Sequence, residues 1–205
     1  MKLRYTVTSP FARKVVVAAI ETGLIDRIEL VPTSPRDPAT GLAAENPLGK
    51  IPVMITDNGR PLFDSAVICE FLDGLHGDPA RRLFPPAGPA RWDALRLHAL
   101  GDGMLDAATA VLMERRFRPE DKRWREGQDA LLEKVTRSLD YLEGGAPGFG
   151  PGVDIGAIAI GCAIGYLDFR FAELEWRRGR GRLAGWYEAL ARRPSMTRSQ
   201  PYDPA

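Results

Sequence analysis

The stretch Asn46–Ser65, NPLGKIPVMITDNGRPLFDS, decides how the rest of the chain is read. Pro52 interrupts an apolar run, Ile51-Pro52-Val53-Met54. Proline has no N–H to give a sheet ladder, so it belongs at the first residue of a strand or in a turn. An X–Pro bond is also the one common place for a cis peptide. A cis bond at Ile51–Pro52 turns the main chain of Ile51 outward, its N–H and C=O open to an extended ligand. Further on, Asp64-Ser65 precede the amphipathic run AVICEFLDGL, an N-cap signal. A helix N-terminus also attracts anions such as carboxylates. The stretch therefore offers backbone pairing and an anion site close together. The alternative is a plain hairpin and a capped helix with no ligand.

Upstream, Leu3–Val7 has the composition of a short strand. Thr8-Ser9-Pro10 supplies a hydroxyl cap and a proline for a first helical position. The helix is expected to run to Thr22 and stop at Gly23, with Val15, Val16, Ala19 and Ile20 on its apolar side. Arg27–Val31 is a second strand, parallel to the first through a right-handed crossover. Thr33–Glu45 reads as a loop with one irregular helical turn. Val53–Thr56, the turn Asp57–Arg60 and Pro61–Phe63 form a hairpin, and the helix after Ser65 ends near Leu75-His76-Gly77. The order is βαβ, then ββα.

Residues 78–89, DPARRLFPPAGP, hold four prolines and read as a linker. Beyond it the pattern is helical: Ala90–Phe117, Glu120–Leu142, Asp154–Phe171 and Arg182–Arg192, with breaks at Pro119, 144–151 and 179–181. The segment 155–169 is apolar nearly all round, with Gly156, Gly161 and Gly165, as in a central helix packed on several sides. The predicted class is α+β: a first domain over 1–77, a linker over 78–89 and an all-helical domain over 90–205. Trp92, Trp176 and Trp186 are assigned to core or interface.

Composition narrows the function. With 44% apolar and 27% charged residues the chain has an ordinary globular balance. A net charge of +1 gives no electrostatic case for nucleic acid or an anionic membrane. Cys69 and Cys162 lie far apart in apolar helical patterns, as reduced core thiols do. His76 and His98 are the only histidines, and no cluster has metal-ligand spacing. The start leads directly into a strand pattern with no signal peptide, and no apolar segment reaches the ~18 residues of a membrane span. A cytoplasmic protein is expected.

Four motifs carry a family resemblance: TSPFARKV (Thr8–Val15), NPLGKIPVM (Asn46–Met54), FDSAVICEFL (Phe63–Leu72) and VDIGAIAIGCAIGYLDFR (Val153–Arg170). In this order and spacing the whole chain resembles the cytosolic glutathione S-transferases, in particular small bacterial members of the serine type. The resemblance implies a thioredoxin-like first domain that binds glutathione. It implies that Ile51, before Pro52, pairs through its backbone with the cysteinyl part, and that Asp64 and Ser65 take the γ-glutamyl end. Lys50 and the loop around Arg36 lie toward the glycyl end. Ser9 is the implied catalytic hydroxyl, donating to the glutathione sulfur, with Thr8 as the rival donor; Tyr5 lies within the first strand. A free thiol with a pKa near ~8.5 is little ionised at neutral pH, so a donor and a helix N-terminus favour the thiolate. Thr8, Phe11, Asp102 and Asp106 are assigned to the substrate cleft. One of the two acids would meet the γ-glutamyl ammonium; the other reading is a pair of solvated carboxylates. Met104, Leu105, Met113 and Trp124 line an apolar pocket or belong to the core. For Arg13 the resemblance implies a structural role or a place at the rim of the site, with a solvated face as the default. The family carries Ser or Thr three residues before the Asp of the central helix, where this chain has Pro151, so Asp154 caps alone or the turn differs.

The expected activity is conjugation of glutathione, as co-substrate and without metal, to a small hydrophobic electrophile, in a homodimer. One alternative is a non-catalytic glutathione-binding or interaction protein in a stress response. Another is a glutathione-dependent reductase or peroxidase, which wants cysteine where Ser9 stands.

Overall fold

The computed structural model describes residues 1–145 and 152–204. Strands β1 (Lys2–Tyr5), β2 (Glu29–Pro32), β3 (Val53–Ile55) and β4 (Pro61–Leu62) form one mixed sheet in the order β2-β1-β3-β4. β1 runs parallel to β2 and antiparallel to β3, and β3 runs antiparallel to β4. The second strand sits two residues later than expected at its start, because Ile25–Arg27 is spent on a 3-10 turn. The loop after β2 holds a 3-10 turn, Pro38–Thr40, and the short helix α2 (Leu42–Glu45).

Helix α1 (Pro10–Glu21) connects β1 to β2, and α3 (Ser65–Leu75) follows β4. α1 packs against α3 on one side and against α6 (Ile155–Arg170) on another. A helix held on two sides is buried nearly all round. Ala12, Val15, Val17, Ala18 and Ala19 are buried, whereas Val16 and Ile20, expected on the apolar face, are only half-buried. Arg13 is buried too, which corrects the expected solvated face.

The helical part comprises α4 (Pro89–Phe117), α5 (Arg125–Gly145), α6, α7 (Gly181–Ala191) and α8 (Pro194–Thr197). Every residue of α6 from Ile155 to Leu167 is buried, as its unbroken apolarity requires. Asp154 caps it alone, its Oδ1 accepting the Ala157 N–H at 2.8 Å; Pro151 lies outside the described residues. α4 and α6 form the most extensive helix contact, and glycine sets its closeness. A Cβ at Gly101 would lie 2.7 Å from the backbone carbonyl carbon of Ala159. Gly101→Val should therefore destabilise the fold by at least the ~1–3 kcal/mol of ordinary overpacking. A denaturant midpoint close to wild type would show that the two helices can move apart.

The 78–89 stretch is docked. Leu83 and Phe84 are buried, the Asp73 carboxylate accepts both of their N–H groups, and the Leu83 carbonyl accepts the Ile155 N–H at 2.9 Å. Trp176 is buried as expected. Trp92 and Trp124 are each 70% exposed, so neither is core, while Met104 and Leu105 are.

Candidate functional site

The sheet register brings most of the predicted residues to one edge. Arg4 of β1 lies opposite Val53 of β3, so the end of β1 is beside the start of β3. Met54 lies opposite Leu62 of β4, which returns the chain to that edge at Phe63. Thr8 and Ser9 leave the edge into α1, Lys50, Ile51 and Pro52 enter it, and Asp64 and Ser65 leave it into α3.

Each of these residues has a local cause for its position. Ser9 caps α1, its Oγ accepting the Ala12 N–H at 3.2 Å. A hydroxyl has two lone pairs and one proton, so this cap leaves the proton available to a further acceptor. Thr8 Oγ1 lies 3.3 Å from Thr6 Oγ1 and shares a hydrogen bond with it. The Ile51–Pro52 peptide is cis, as is Phe63–Asp64. The ladder begins only at Val53, and no turn or loop hydrogen bond among the described residues uses the Ile51 N–H or C=O. Asn46, buried at the start of the turn, accepts the Leu48 N–H and donates to the Lys50 carbonyl at 2.8 Å. It thereby fixes the approach to Ile51, while the Lys50 side chain is exposed. Asp64 caps α3 through the Ala66 N–H at 3.0 Å. Ser65 is buried beside it, and its hydroxyl has no partner among the described residues.

Asp102 of α4 is not a solvated carboxylate. It accepts from the ammonium of Lys14 at 2.5 and 2.7 Å, and Lys14 itself is fully buried. His98, one turn earlier, lies 2.9 Å from the same ammonium through Nε2. An ammonium only donates, so His98 Nε2 is the acceptor and its proton sits on Nδ1. Burial first, and the Lys14 charge second, push the His98 pKa down to about 4 from 6.5. Asp102 is thus occupied by Lys14, and Asp106 is the acid left exposed. Burial and the neighbouring Asp102 raise the Asp106 pKa, and it feels the charges of Lys50 and Asp64. The acidic side of α4 thus faces the edge that holds the other candidates.

The sign of the His98 effect on stability follows from linkage. Between pH 6.5 and about 4 the unfolded chain binds a proton that native His98 refuses. Stability is therefore full above pH 6.5 and falls as pH drops toward 4, by up to ~3 kcal/mol. His98→Gln should flatten that part of a stability–pH curve measured by urea unfolding. An unchanged slope would assign the loss to other groups.

Leu112, Arg115, Arg116, Arg170 and Asp203 were not singled out as site residues by sequence reasoning. Thr8 lines an open groove of about 590 Å³ with Leu112, Arg115, Arg116, Arg170 and Asp203. Arg170 ends α6, and Asp203 reaches it across 33 positions in a two-pronged pair at 2.9 and 2.6 Å. The Arg170 guanidinium lies 3.7 Å from the Phe169 ring centroid. Phe11 is half-buried against the core, and Arg36 stacks 3.1 Å from the ring centroid of Phe117 at the end of α4. Tyr5, at the end of β1, lines a different, smaller cavity with Tyr202. Cys69 and Cys162 are free and fully buried; burial pushes the Cys69 thiol up to about 12 and raises Cys162 as well. Neither is a reactive thiolate at neutral pH. Among the described residues no group of His, Cys, Asp and Glu is placed to hold a metal ion, and no helix is long and apolar enough to cross a membrane.

The glutathione S-transferase N-terminal domain model matches residues 8–75, and the C-terminal domain model matches residues 122–189. The uncharacterized GST-like protein YibF of Escherichia coli (strain K12) is 36% identical over 207 residues, covering 98% of each chain. A glutathione transferase family member from Pseudomonas fluorescens Pf-5, in a crystal structure with bound glutathione, is 40% identical with a TM-score of 0.93, covering 98% of this chain and 99% of that one. A second crystal structure from that organism, with bound S-(propanoic acid)-glutathione, is 40% identical with a TM-score of 0.88, covering 99% of this chain and 100% of that one. With both halves matched in order and a relative aligned nearly end to end, the chain belongs to the glutathione S-transferase family.

Proposed function

We propose that the protein is a glutathione transferase in which Ser9 promotes ionisation of the glutathione thiol. The observation that supports this most directly is the meeting of three fitting groups at one sheet edge. Ser9 has a hydroxyl proton to give. Ile51 has a free backbone N–H and C=O. Ser65 opens α3 with an unpartnered hydroxyl. Ile51 pairs with the cysteinyl backbone as a strand would. The Ser65 hydroxyl and the first N–H groups of α3 hold the γ-glutamyl carboxylate, with the α3 dipole favouring its charge. Asp106 is the acid that receives the γ-glutamyl ammonium, since Asp102 is taken by Lys14. Lys50 approaches the glycyl carboxylate. Glutathione supplies the thiol that attacks the electrophile; Ser9 donates to the sulfur, and the positive end of α1 stabilises its charge. The electrophile lies over the helical half, with Thr8 and Phe11 at its edge.

Bound glutathione in two Pseudomonas fluorescens structures, once as a thioether, favours conjugation over a purely structural role. The reductase alternative lacks a reactive cysteine among the described residues. A cytoplasmic homodimer that removes reactive electrophiles completes the proposal. Exposed Val67 of α3 and Trp92 of α4, beside the Arg91–Glu70 ion pair, are suited to an interface between copies. Sedimentation at micromolar concentration should give twice the chain mass. The deciding experiment titrates enzyme-bound glutathione by ultraviolet thiolate absorbance. The bound thiol should ionise about one to two pH units below the free thiol at ~8.5. An unshifted titration would reduce the protein to a binding module.

A further inference from the structure

The groove beside Thr8 is more cationic than a site for neutral hydrophobic compounds requires. Arg115, Arg116 and Arg170 all line it. Arg115 is committed elsewhere, donating to Glu173 at 2.7 Å and to Gln128 at 3.2 Å. Arg116 makes no ion pair among the described residues; it lies 5.7 Å from the Phe117 ring centroid and its charge is felt by Asp203. The Arg170 guanidinium stacks on Phe169 and presents its two terminal nitrogens to one carboxylate, that of Asp203. Its Nε is buried and has no hydrogen-bond partner among the described residues. A planar, stacked guanidinium is built for two-pronged carboxylate recognition. Asp203 sits on a segment held to the groove by this pair, and its side chain is 64% exposed. Arg170 itself is only 14% exposed, so its two terminal nitrogens are reached by an outside carboxylate through the exposed Asp203 position.

Resting on the transferase proposal above, we infer that this groove selects electrophiles bearing a carboxylate. Arg170 is the anchoring cation and Arg116 the second, and Asp203 is the chain's own stand-in for that carboxylate. A ligand carboxylate enters as Asp203 leaves, so the charge balance of the groove is kept. The electrophilic carbon of the same molecule then lies on the Thr8 side, beside Ser9. For an aryl chloride the step balances simply: a C–S bond forms at the ring carbon, chloride leaves, and the thiol proton goes to solvent.

The test uses two probes that differ by one carboxylate, 4-chloro-3,5-dinitrobenzoate and 2-chloro-1,3-dinitrobenzene, together with their preformed glutathione conjugates. Calorimetry should show the carboxylate conjugate binding about tenfold more tightly to the wild-type protein. Arg170→Gln should erase the difference, and Arg170→Lys should restore part of it. Asp203→Asn, which removes the internal competitor, should tighten the carboxylate conjugate about fivefold and leave the neutral one unchanged. Should Arg170→Gln fold poorly, Arg116→Gln and Asp203→Asn still decide the matter. Equal affinity for the two conjugates in the wild type would overturn the inference. So would an Asp203→Asn protein that binds the carboxylate conjugate no more tightly, which would make the Arg170–Asp203 pair a structural tether. Turnover separates the two proposals: no chloride release from either probe, with the conjugate preference intact, would sink conjugation and leave the carboxylate anchor standing.

Discussion

Lys14→Ala is expected to lower the unfolding free energy by about 3–5 kcal/mol, the usual cost of breaking a buried ion pair by removing one partner. The expectation rests on where the ammonium lies. Lys14 is fully buried, and its three donors have Asp102 Oδ1, Asp102 Oδ2 and His98 Nε2 around them. Alanine leaves a cavity where the four-carbon stem was, and a half-buried Asp102 whose partner is gone. His98 is a poor substitute, because its burial opposes the charged form even once the Lys14 charge is gone. Lys14→Met/Asp102→Leu should recover much of the loss, since well-packed apolar replacements of a buried pair are often neutral. Urea unfolding of the two single variants and the double variant completes the cycle. A Lys14→Ala protein within ~1 kcal/mol of wild type would mean that the pair contributes little net stability.

Ser9→Ala is the second large effect. It should reduce kcat/KM for a chloronitrobenzene by about a hundredfold, which is ~2.7 kcal/mol of transition-state stabilisation. Glutathione affinity should change much less, because Ile51 and Ser65 make the positioning contacts of the proposed site. The bound thiol should also titrate about one unit higher in the variant, since a hydrogen bond to a charged group is worth ~1.5–3 kcal/mol. A separate stability cost is expected: Ser9 Oγ caps α1 through the Ala12 N–H, and alanine forfeits that bond for ~1 kcal/mol. Ser9→Asp preserves a cap acceptor but gives the sulfur a negative neighbour, so it should keep the fold and lose the turnover. Comparing Ser9→Ala with Thr8→Val assigns the donor. Full activity in Ser9→Ala with loss in Thr8→Val would transfer the role to Thr8.

The sequence made the sheet and its edge legible because the signals there are local. Pro52 before Val53, the Asp64-Ser65 cap and the Thr8-Ser9-Pro10 start each act within a few residues of themselves, and each stands where the pattern put it. Charged residues inside helices were harder. Arg13 and Lys14 follow Ser9 in what looks like a first turn open to water, yet both are buried, because α6 and α4 cover that face from more than eighty residues away. Glycine was the available clue: a Cβ at Gly165 would collide with the Arg13 guanidinium, so that gap in α6 exists for Arg13. The Asp102–Asp106 spacing showed that the two acids share a helix face but not that one of them has a buried cation. Arg170 stands at the end of an apolar helix, two residues after Asp168, but nothing local pairs it with Asp203. For Trp92 and Trp124 the pattern left core and a surface role both open, and their exposure removes only the core half of each reading.

The side chains of α1 bind it to the helical half as firmly as to its own sheet. Arg13 donates to the Met196 carbonyl and to Ser199, Lys14 to Asp102, and Glu21 accepts from Arg193 and Ser195. These groups are polar or charged, and in an isolated first half they would face partners that are missing. The two halves should consequently melt as one cooperative unit, with a single calorimetric transition whose calorimetric and van't Hoff enthalpies agree. A fragment ending at Gly77 should lack a stable native state, and amide exchange in α1 should report global rather than local opening. In this chain the boundary between sheet and helices is part of the folding unit rather than a seam in it.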